Sequence, residues 1–129
     1  MTSAELKYLI AIDELYNGER GIKLTDIAQK MSVSKVSVYR AVERLERGGY
    51  VERDDKNKVV MTEHGKAQLE EYKVLTGWLS CHLEHHCGVS GDIAYKDAIG
   101  AVCAMSDESR DGLFCFICSV CKRSDSAQN

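Results

Sequence analysis

Residues 32–51 constrain the fold more than any other part of this chain. Apolar residues recur in this segment at helical spacing, at Val38, Ala41, Val42 and Leu45. Ser34 precedes the run and is a typical helix N-cap, while Gly48 and Gly49 are expected to end the helix. Hydroxyl and basic side chains occupy the opposite face. The segment therefore predicts a helix with one buried face and one polar face.

A shorter helix is predicted before this segment and a hairpin after it. Thr25 and Asp26 are expected to cap the shorter helix, which a tight turn joins to the next one. Two helices joined by a turn of about three to four residues form a helix-turn-helix. Residues 50–53 and 58–62 flank the turn-forming residues 54–57 and predict a hairpin. Together these elements predict a winged helix.

Helical periodicity also marks the rest of the chain. A first amphipathic helix is expected to end at Asn17 and Gly18. The second half predicts a long helix over residues 65–87 and another helix over residues 92–105. A last helix is expected to start with Ser106 as its cap.

The predicted fold class is mainly α, with two domains. An N-terminal winged helix-turn-helix domain covers residues 1–65, and a small helical dimerisation domain covers residues 66–121. Residues 122–129 form a polar tail that we expect to be disordered. The second domain has more apolar surface than a small helical domain would leave in water, which favours a homodimer.

Charge is unevenly spread along the chain. The net charge is −3, and residues 1–65 carry 11 basic and 11 acidic residues, whereas residues 66–129 carry 6 and 9. A nucleic-acid footprint must therefore be a local patch. The sequence has no long apolar window and no signal-peptide pattern, which predicts a cytoplasmic protein that does not contact a membrane.

The polar face of the predicted third helix is suited to double-stranded DNA. Nine residues of this helix and the hairpin are predicted to contact phosphates or base edges: Ser34, Lys35, Ser37, Tyr39, Arg40, Arg44, Arg53, Lys56 and Lys58. Arg40 is the best candidate for a base contact, because a guanidinium matches the two acceptors of guanine. The alternative is a solvated charged face on a winged helix that binds protein.

Cysteines and histidines of the second half suggest a metal, cluster or redox centre. The candidate ligands are Cys81, His82, His85, His86, Cys87, Cys103, Cys115, Cys118 and Cys121. In a cytosolic protein such cysteines are more often metal ligands or redox groups than disulfides. Cys115, Cys118 and Cys121 suit zinc or an iron–sulfur cluster with one further ligand, provided that the helix ends there so that the three thiolates converge.

The histidines have spacings that suit metal ligands. Cys81 with His85, and His82 with His86, stand one helical turn apart, which places each pair on one face. The alternative for the cysteines is a structural role as small buried apolar residues. For the histidines it is simple exposure at a helix C-terminus, where a positive charge suits the helix dipole.

Five segments occur in an order that is typical of one family of regulators. These segments are residues 26–28, 34–45, 61–66, 94–98 and 105–108. Their succession resembles the diphtheria-toxin-repressor and manganese-transport-regulator family of metal-dependent repressors, in its short two-domain form, over about residues 5–113. The resemblance implies a homodimer that binds operator DNA when a divalent metal occupies a site between the two domains, and that represses metal-uptake genes.

The sequence departs from this family at the metal ligands. The family places ligands in the first helix, in the middle of the long helix and in the following helix. The corresponding residues here are Lys7, Ile10, Thr76, Ser80, Ile99, Val102 and Cys103. Ammonium and aliphatic side chains cannot ligate a hard divalent cation, so only Cys103 is a possible ligand. The manganese or ferrous site of the family is therefore expected to be absent.

Two functions are open at the level of sequence. The first is a dimeric DNA-binding transcriptional regulator, a repressor of metal- or iron-related genes whose DNA affinity responds to a metal, an iron–sulfur cluster or a thiol state. The second is a non-DNA-binding winged-helix interaction protein or a metal-handling accessory protein for iron uptake. No nucleophile, base and orienting group occur together in a recognisable pattern, so neither an enzyme nor a small-molecule substrate is expected.

Overall fold

The structure, a computed structural model, describes residues 1–18 and 21–127, with the side chains of this part described as far as Val120. The described residues form six helices and one two-stranded sheet, which confirms a mainly α winged helix. The elements are α1 Ser3–Leu15, α2 Leu24–Met31, α3 Lys35–Arg47, β1 Val51–Arg53, β2 Val59–Met61, α4 Glu63–Cys87, α5 Gly91–Ala104 and α6 Asp107–Ala127.

The chain divides into two compact units, an N-terminal unit of residues 1–69 and a C-terminal unit of residues 70–129. The boundary falls within α4, a few residues beyond the boundary that the sequence predicts. None of the described helices is both long enough and apolar enough to span a membrane.

Helix α3 has the buried face that its periodicity predicts. Four side chains of this face are completely buried: Val38, Ala41, Val42 and Leu45. The Ser34 hydroxyl accepts a hydrogen bond from the Ser37 amide at 3.2 Å, which caps the helix as expected. The helix ends at Gly48, and Gly49 adopts a φ of +77°, which glycine tolerates without strain.

Helix α2 begins earlier than its sequence predicts. Its N-cap is Lys23, whose carbonyl accepts hydrogen bonds from Asp26 at 3.1 Å and Ile27 at 3.3 Å. The prediction that Thr25 and Asp26 cap the helix is therefore wrong, because both lie in its first turn. Among the described residues, no side chain caps the amide groups of this N-terminus.

The hairpin forms a sheet with an additional contact from an earlier segment. β1 and β2 pair antiparallel, with Val51 opposite Met61 and Arg53 opposite Val59. Ile22 also pairs with Val59 through two backbone hydrogen bonds of 2.8 Å each. This pair fastens the segment before α2 to the second strand of the wing.

One hydroxyl joins the end of the wing to the start of α4. Thr62 Oγ1 accepts a hydrogen bond from the Gly65 amide at 2.9 Å and donates one to the Gly49 carbonyl at 2.6 Å. Gly65 is buried against the Tyr50 carbonyl oxygen, and a Cβ at this position would overlap that oxygen. The chain therefore requires glycine at this position.

The C-terminal unit has a small apolar core and a longer last helix than expected. Its buried apolar residues are Tyr72, Leu75, Ala94, Ala98, Ile99, Val102 and Ile117. The Ser106 hydroxyl accepts a hydrogen bond from the Ser109 amide at 3.2 Å, which agrees with the predicted cap of α6. Residues 122–127 were expected to be part of a disordered tail, but they continue α6 as far as Ala127. Residues 128–129 lie outside the described part.

Two charged residues are buried in this unit. Arg110 is 5% exposed, donates a hydrogen bond to the Met105 carbonyl at 2.6 Å, and also pairs with Asp107. Burial, the hydrogen bond with Asp111 and the charge of Asp111 together raise the pKa of Glu71 to about 7, against the attraction of Arg110. Glu71 therefore binds a proton more readily in the folded protein than in the unfolded chain.

We expect Gly65→Ala to destabilise the N-terminal unit by about 1–3 kcal/mol, because the added methyl group displaces the Tyr50 carbonyl. The matched control is Gly77→Ala, in the same helix, where a Cβ meets no atom within 4 Å. This control should raise stability by up to about 1 kcal/mol, through helix propensity. Urea denaturation measures both changes, and equal effects of the two variants would contradict the requirement for glycine at residue 65.

Glu71→Gln should remove one component of the pH dependence of folding. The pKa of Glu71 in the folded protein, about 7, lies above its ordinary value of 4.5, so the folded state binds more protons between these values. The free energy of unfolding therefore falls as pH rises through this interval, and the loss is complete above the folded pKa. Urea denaturation at several pH values should show this decline for wild type and for the exposed neighbour variant Glu70→Gln, but not for Glu71→Gln.

Candidate functional site

The nine residues predicted to contact DNA all lie in the N-terminal unit. Seven of them are exposed, and Arg53 and Lys58 are half-buried. The six that belong to α3 and its cap point away from the buried stripe of that helix. Arg40 is exposed near the middle of α3, on the same polar surface of the helix.

Sequence reasoning missed an apolar member of this surface. Val36 lies in the first turn of α3 and is 60% exposed. In helix-turn-helix proteins the N-terminal residues of the recognition helix meet the base edges, and an aliphatic group there can contact the thymine methyl group. The signal was present in the sequence, because Val36 is out of phase with the buried positions of the helix.

Lysines from three segments line one shallow depression. Its lining residues are Lys23, Leu24, Thr25, Lys35, Lys56, Asn57 and Lys58. The uncapped N-terminus of α2 begins at this surface, and free amide groups at a helix N-terminus attract anions. Lys35, Lys56 and Lys58 thus lie around one depression, and their contact with phosphates stays a prediction. Lys23 was missed, because it lies outside the predicted helices and hairpin.

Arg53 ties the hairpin to α3. Its guanidinium pairs with the Glu46 carboxylate and lies 4.5 Å from the centroid of the Tyr39 ring. A longer hydrogen bond of 3.4 Å joins it to Asn57. Burial lowers the pKa of Arg53, but the hydrogen bonds with Tyr39 and Glu46 raise it above its ordinary value.

This contact changes the interpretation of two predicted DNA ligands. The Arg53 side chain is only 17% exposed, and the ring of Tyr39 covers one side of its guanidinium. Both groups therefore fix the position of the wing relative to α3. Glu46 and Asn57, which the sequence did not single out, belong to the same contact.

The candidate metal ligands are spread over the three helices of the C-terminal unit. Cys81, Cys87 and Cys115 are exposed, whereas Cys103 and Cys118 are half-buried. The alternative of small buried apolar residues is therefore wrong for Cys81, Cys87 and Cys115. All three histidines, His82, His85 and His86, are exposed. The side chain of Cys121 lies outside the described part of the chain.

The structure does not gather these residues into one centre within one chain. Among the described residues, no group of three or more histidine, cysteine, aspartate or glutamate side chains is placed to hold a metal ion. Convergence of Cys115, Cys118 and Cys121 required α6 to end near them, and the helix instead continues to Ala127. Cys115 and Cys118 remain neighbours, one turn apart.

Comparison with known families indicates which kind of domain the N-terminal unit resembles. Residues 1–59 match the family described as "Iron dependent repressor, N-terminal DNA binding domain". The match covers most of the N-terminal unit, which is therefore similar to this family of DNA-binding domains. The resemblance predicted from the sequence is thus confirmed, and the iron-dependent repressors are DNA-binding regulators rather than enzymes, as expected.

Solved structures extend the similarity beyond the iron-dependent repressor domain. The hypothetical protein SSo2273 from Sulfolobus solfataricus has 20% identity and a TM-score of 0.71, covering 91% of this chain and 89% of that protein. The manganese regulator SloR has 26% identity and a TM-score of 0.70, covering 91% of this chain and 54% of SloR. The metal-dependent transcriptional regulator MtsR has 23% identity and a TM-score of 0.69, covering 88% and 53%.

The coverage and the sequence identity limit what these comparisons show. The chain spans about half the length of SloR and of MtsR, but most of the length of SSo2273. The matches to SSo2273 and MtsR are similarities of fold. A sequence search of the curated proteins found no match.

The divalent metal of the iron-dependent repressors does not fit the corresponding residues of this chain. Ile99 is 2% exposed and Val102 is 1% exposed, and both are apolar core residues of α5. Lys7 is exposed on α1 and carries an ammonium group. Thr76 contributes a single buried hydroxyl. A hard cation requires several oxygen ligands, which these residues do not provide.

We expect the contact between Arg53 and Glu46 to contribute measurably to the stability of the N-terminal unit. A double-mutant cycle with Glu46→Gln and Arg53→Gln should give a coupling free energy of about 0.5–1 kcal/mol, because the pair is partly shielded from water. The matched cycle on the exposed pair Glu63 and Lys66, 3.4 Å apart, should give no measurable coupling. Equal coupling in the two cycles would contradict a role of Arg53 in holding the wing.

Proposed function

We propose that this chain is a dimeric repressor that binds operator DNA and whose affinity responds to a metal, an iron–sulfur cluster or a thiol state. The observation that carries the proposal is the exposed polar face of α3 within a domain similar to the iron-dependent repressor family. SloR and MtsR, which share the fold over most of this chain, are named as manganese and metal-dependent regulators. Metal- or iron-related genes are the targets that this similarity favours.

The proposed DNA contacts follow from the positions of the side chains. With α3 in the major groove, Arg40 donates to the two acceptors of a guanine and Val36 contacts a thymine methyl group. Lys35, Lys56 and Lys58 neutralise phosphates, together with the other exposed polar residues of α3. The wing, held by Arg53, lies along the DNA backbone.

A homodimer is supported by apolar side chains exposed on the C-terminal unit. Ile93 is 56% exposed and Tyr95 is 47% exposed on α5, and Phe116 is 58% exposed on α6. Exposed large apolar groups of this kind mark protein interfaces. A two-fold dimer presents two copies of α3 to two half-sites of an operator.

Zinc or an iron–sulfur cluster is the proposed effector, in place of the family's metal. The thiols of Cys81, Cys87 and Cys115 are exposed, so a metal ion or an oxidant can reach them. Since one chain does not gather three ligands among its described residues, the centre needs Cys121, another molecule or a rearrangement of the C-terminal unit. Cys103 remains a candidate as the single family position that retains a soft donor.

Anaerobic purification followed by absorption spectroscopy and elemental analysis tests the effector. Brown protein that contains iron and sulfide supports a cluster, and colourless protein with stoichiometric zinc supports a zinc centre. Protein that contains neither, and whose DNA affinity is the same in reduced, oxidised and metal-loaded forms, would overturn metal, cluster or thiol control.

Arg40→Ala should weaken binding to operator DNA by roughly 10- to 100-fold without unfolding the protein, because a bidentate contact to guanine contributes about 1–3 kcal/mol. The matched control is Lys30→Ala, which also removes one positive charge but affects an ammonium group that is 3.1 Å from the Glu14 carboxylate. Fluorescence anisotropy with promoter DNA measures the affinities, and circular dichroism checks the fold.

The salt dependence of the same assay separates phosphate contacts from base contacts. Lys56→Ala should lower the slope of log affinity against log salt by about one, across all sequences. If neither the reduced nor the metal-loaded protein shows salt-dependent binding to promoter DNA, the repressor proposal fails. The winged helix would then be an interaction domain, or part of a metal-handling accessory protein for iron uptake.

A further inference from the structure

Three aromatic side chains form a row on the C-terminal part of α4. Trp78, His82 and His86 are spaced four residues apart, which places them on one face of the helix. The Trp78 and His82 rings are 4.5 Å apart between centroids, and the His82 and His86 rings are 5.0 Å apart with an angle of 24° between their planes. The two imidazoles are thus already neighbours in the folded chain.

His82 and His86 are not part of the apolar core. His82 and His86 are exposed, and no described hydrogen bond or ion pair of the structure engages either imidazole. Trp78 is half-buried and covers one side of His82. The ring nitrogens are accessible to solvent and to dissolved ions.

We propose that His82 and His86 bind one divalent transition ion of the borderline class, such as Zn²⁺, Ni²⁺ or Cu²⁺. Nitrogen–metal distances of about 2.0–2.1 Å are within reach of two imidazoles one helical turn apart, after the side chains rotate so that a nitrogen of each ring faces the ion. Imidazole nitrogens favour these ions over Mn²⁺ and Mg²⁺, which prefer oxygen ligands.

The helix lowers the entropic cost of binding by holding the two ligands in place. Since α4 continues as far as Cys87, both Cβ positions are fixed before the ion arrives. No third histidine, cysteine, aspartate or glutamate completes the site among the described residues, so the ion retains water or accepts a ligand from another molecule. Residues 82 and 86 differ from the positions that correspond to the family's metal ligands.

This proposal reduces the candidate effector ligands to His82 and His86. Only the claim that the ion regulates DNA binding rests on the proposed repressor function. Whether the ion binds His82 and His86 does not depend on whether the protein binds DNA. DNA affinity and ion affinity are therefore measured separately on the same variants.

The experiment uses the single tryptophan of the chain as the reporter. Because Trp78 contacts His82, a paramagnetic Ni²⁺ ion bound at this pair quenches its fluorescence. Titration of the metal-free full chain with NiCl₂ should give saturable quenching for wild type. In His82→Ala and in His86→Ala the affinity should fall by at least about tenfold, because a chelating ligand is lost.

The matched control is His85→Ala, which removes a neighbouring exposed imidazole that is outside the row of ring contacts formed by Trp78, His82 and His86. It should bind Ni²⁺ as wild type does. Loss of binding in His85→Ala with retention in His82→Ala would move the site to the Cys81 and His85 pair and overturn the proposal. Unchanged binding in both His82→Ala and His86→Ala would also overturn it.

Since His82→Ala alters the surroundings of the reporter, a second measurement is needed. Calorimetric titration with ZnCl₂ reports binding independently of fluorescence, and it should rank the four proteins in the same order. If the ion binds as proposed while operator affinity is unchanged by Zn²⁺ or Ni²⁺, the binding site stands and regulation through it is refuted. If the protein binds operator DNA but does not bind the ion, this proposal fails and the repressor function stands.

Discussion

Complete burial of one face of α3 is the constraint on which the N-terminal unit depends. Val38 and Leu45 are inaccessible to solvent, and they fix the rotation of the helix about its axis. A helix that rotated by one residue would expose this face and bury charged groups, at a cost of several kcal/mol. The direction in which Arg40 and Lys35 point is therefore set by hydrophobic burial on the other side of the helix.

Polar contacts then determine where the wing lies relative to this helix. Arg53 reaches back from β1 to Glu46 and to the ring of Tyr39, so its charge is used within the protein. Arg53 is therefore less available to contact phosphates, but its contacts hold the hairpin that carries Lys56 and Lys58 in a defined position. Specific binding to a charged polymer benefits from such preorganisation, since less conformational entropy is lost on association.

The sequence predicted the elements that depend on local signals. The Ser34 cap, the glycines after α3 and the hairpin turn each act through bonds between near neighbours, so the pattern is visible in the chain itself. The contact between Arg53 and Tyr39 was not predictable in this way, because it depends on the register of the hairpin and on how β1 follows α3. The extension of α6 was missed for a different reason, since residues 122–127 lack the apolar periodicity by which helices are recognised.

The pairing of Ile22 with Val59 has a consequence for the order of folding. Ile22 precedes the helix-turn-helix and Val59 follows it, so the pair closes a loop that contains both α2 and α3. Closing such a loop costs chain entropy, which only the completed unit can offset. During synthesis, the helix-turn-helix therefore lacks the pair between Ile22 and Val59 until Val59 has left the ribosome. A chain that stops within the wing would lack the pair that closes the loop containing α3.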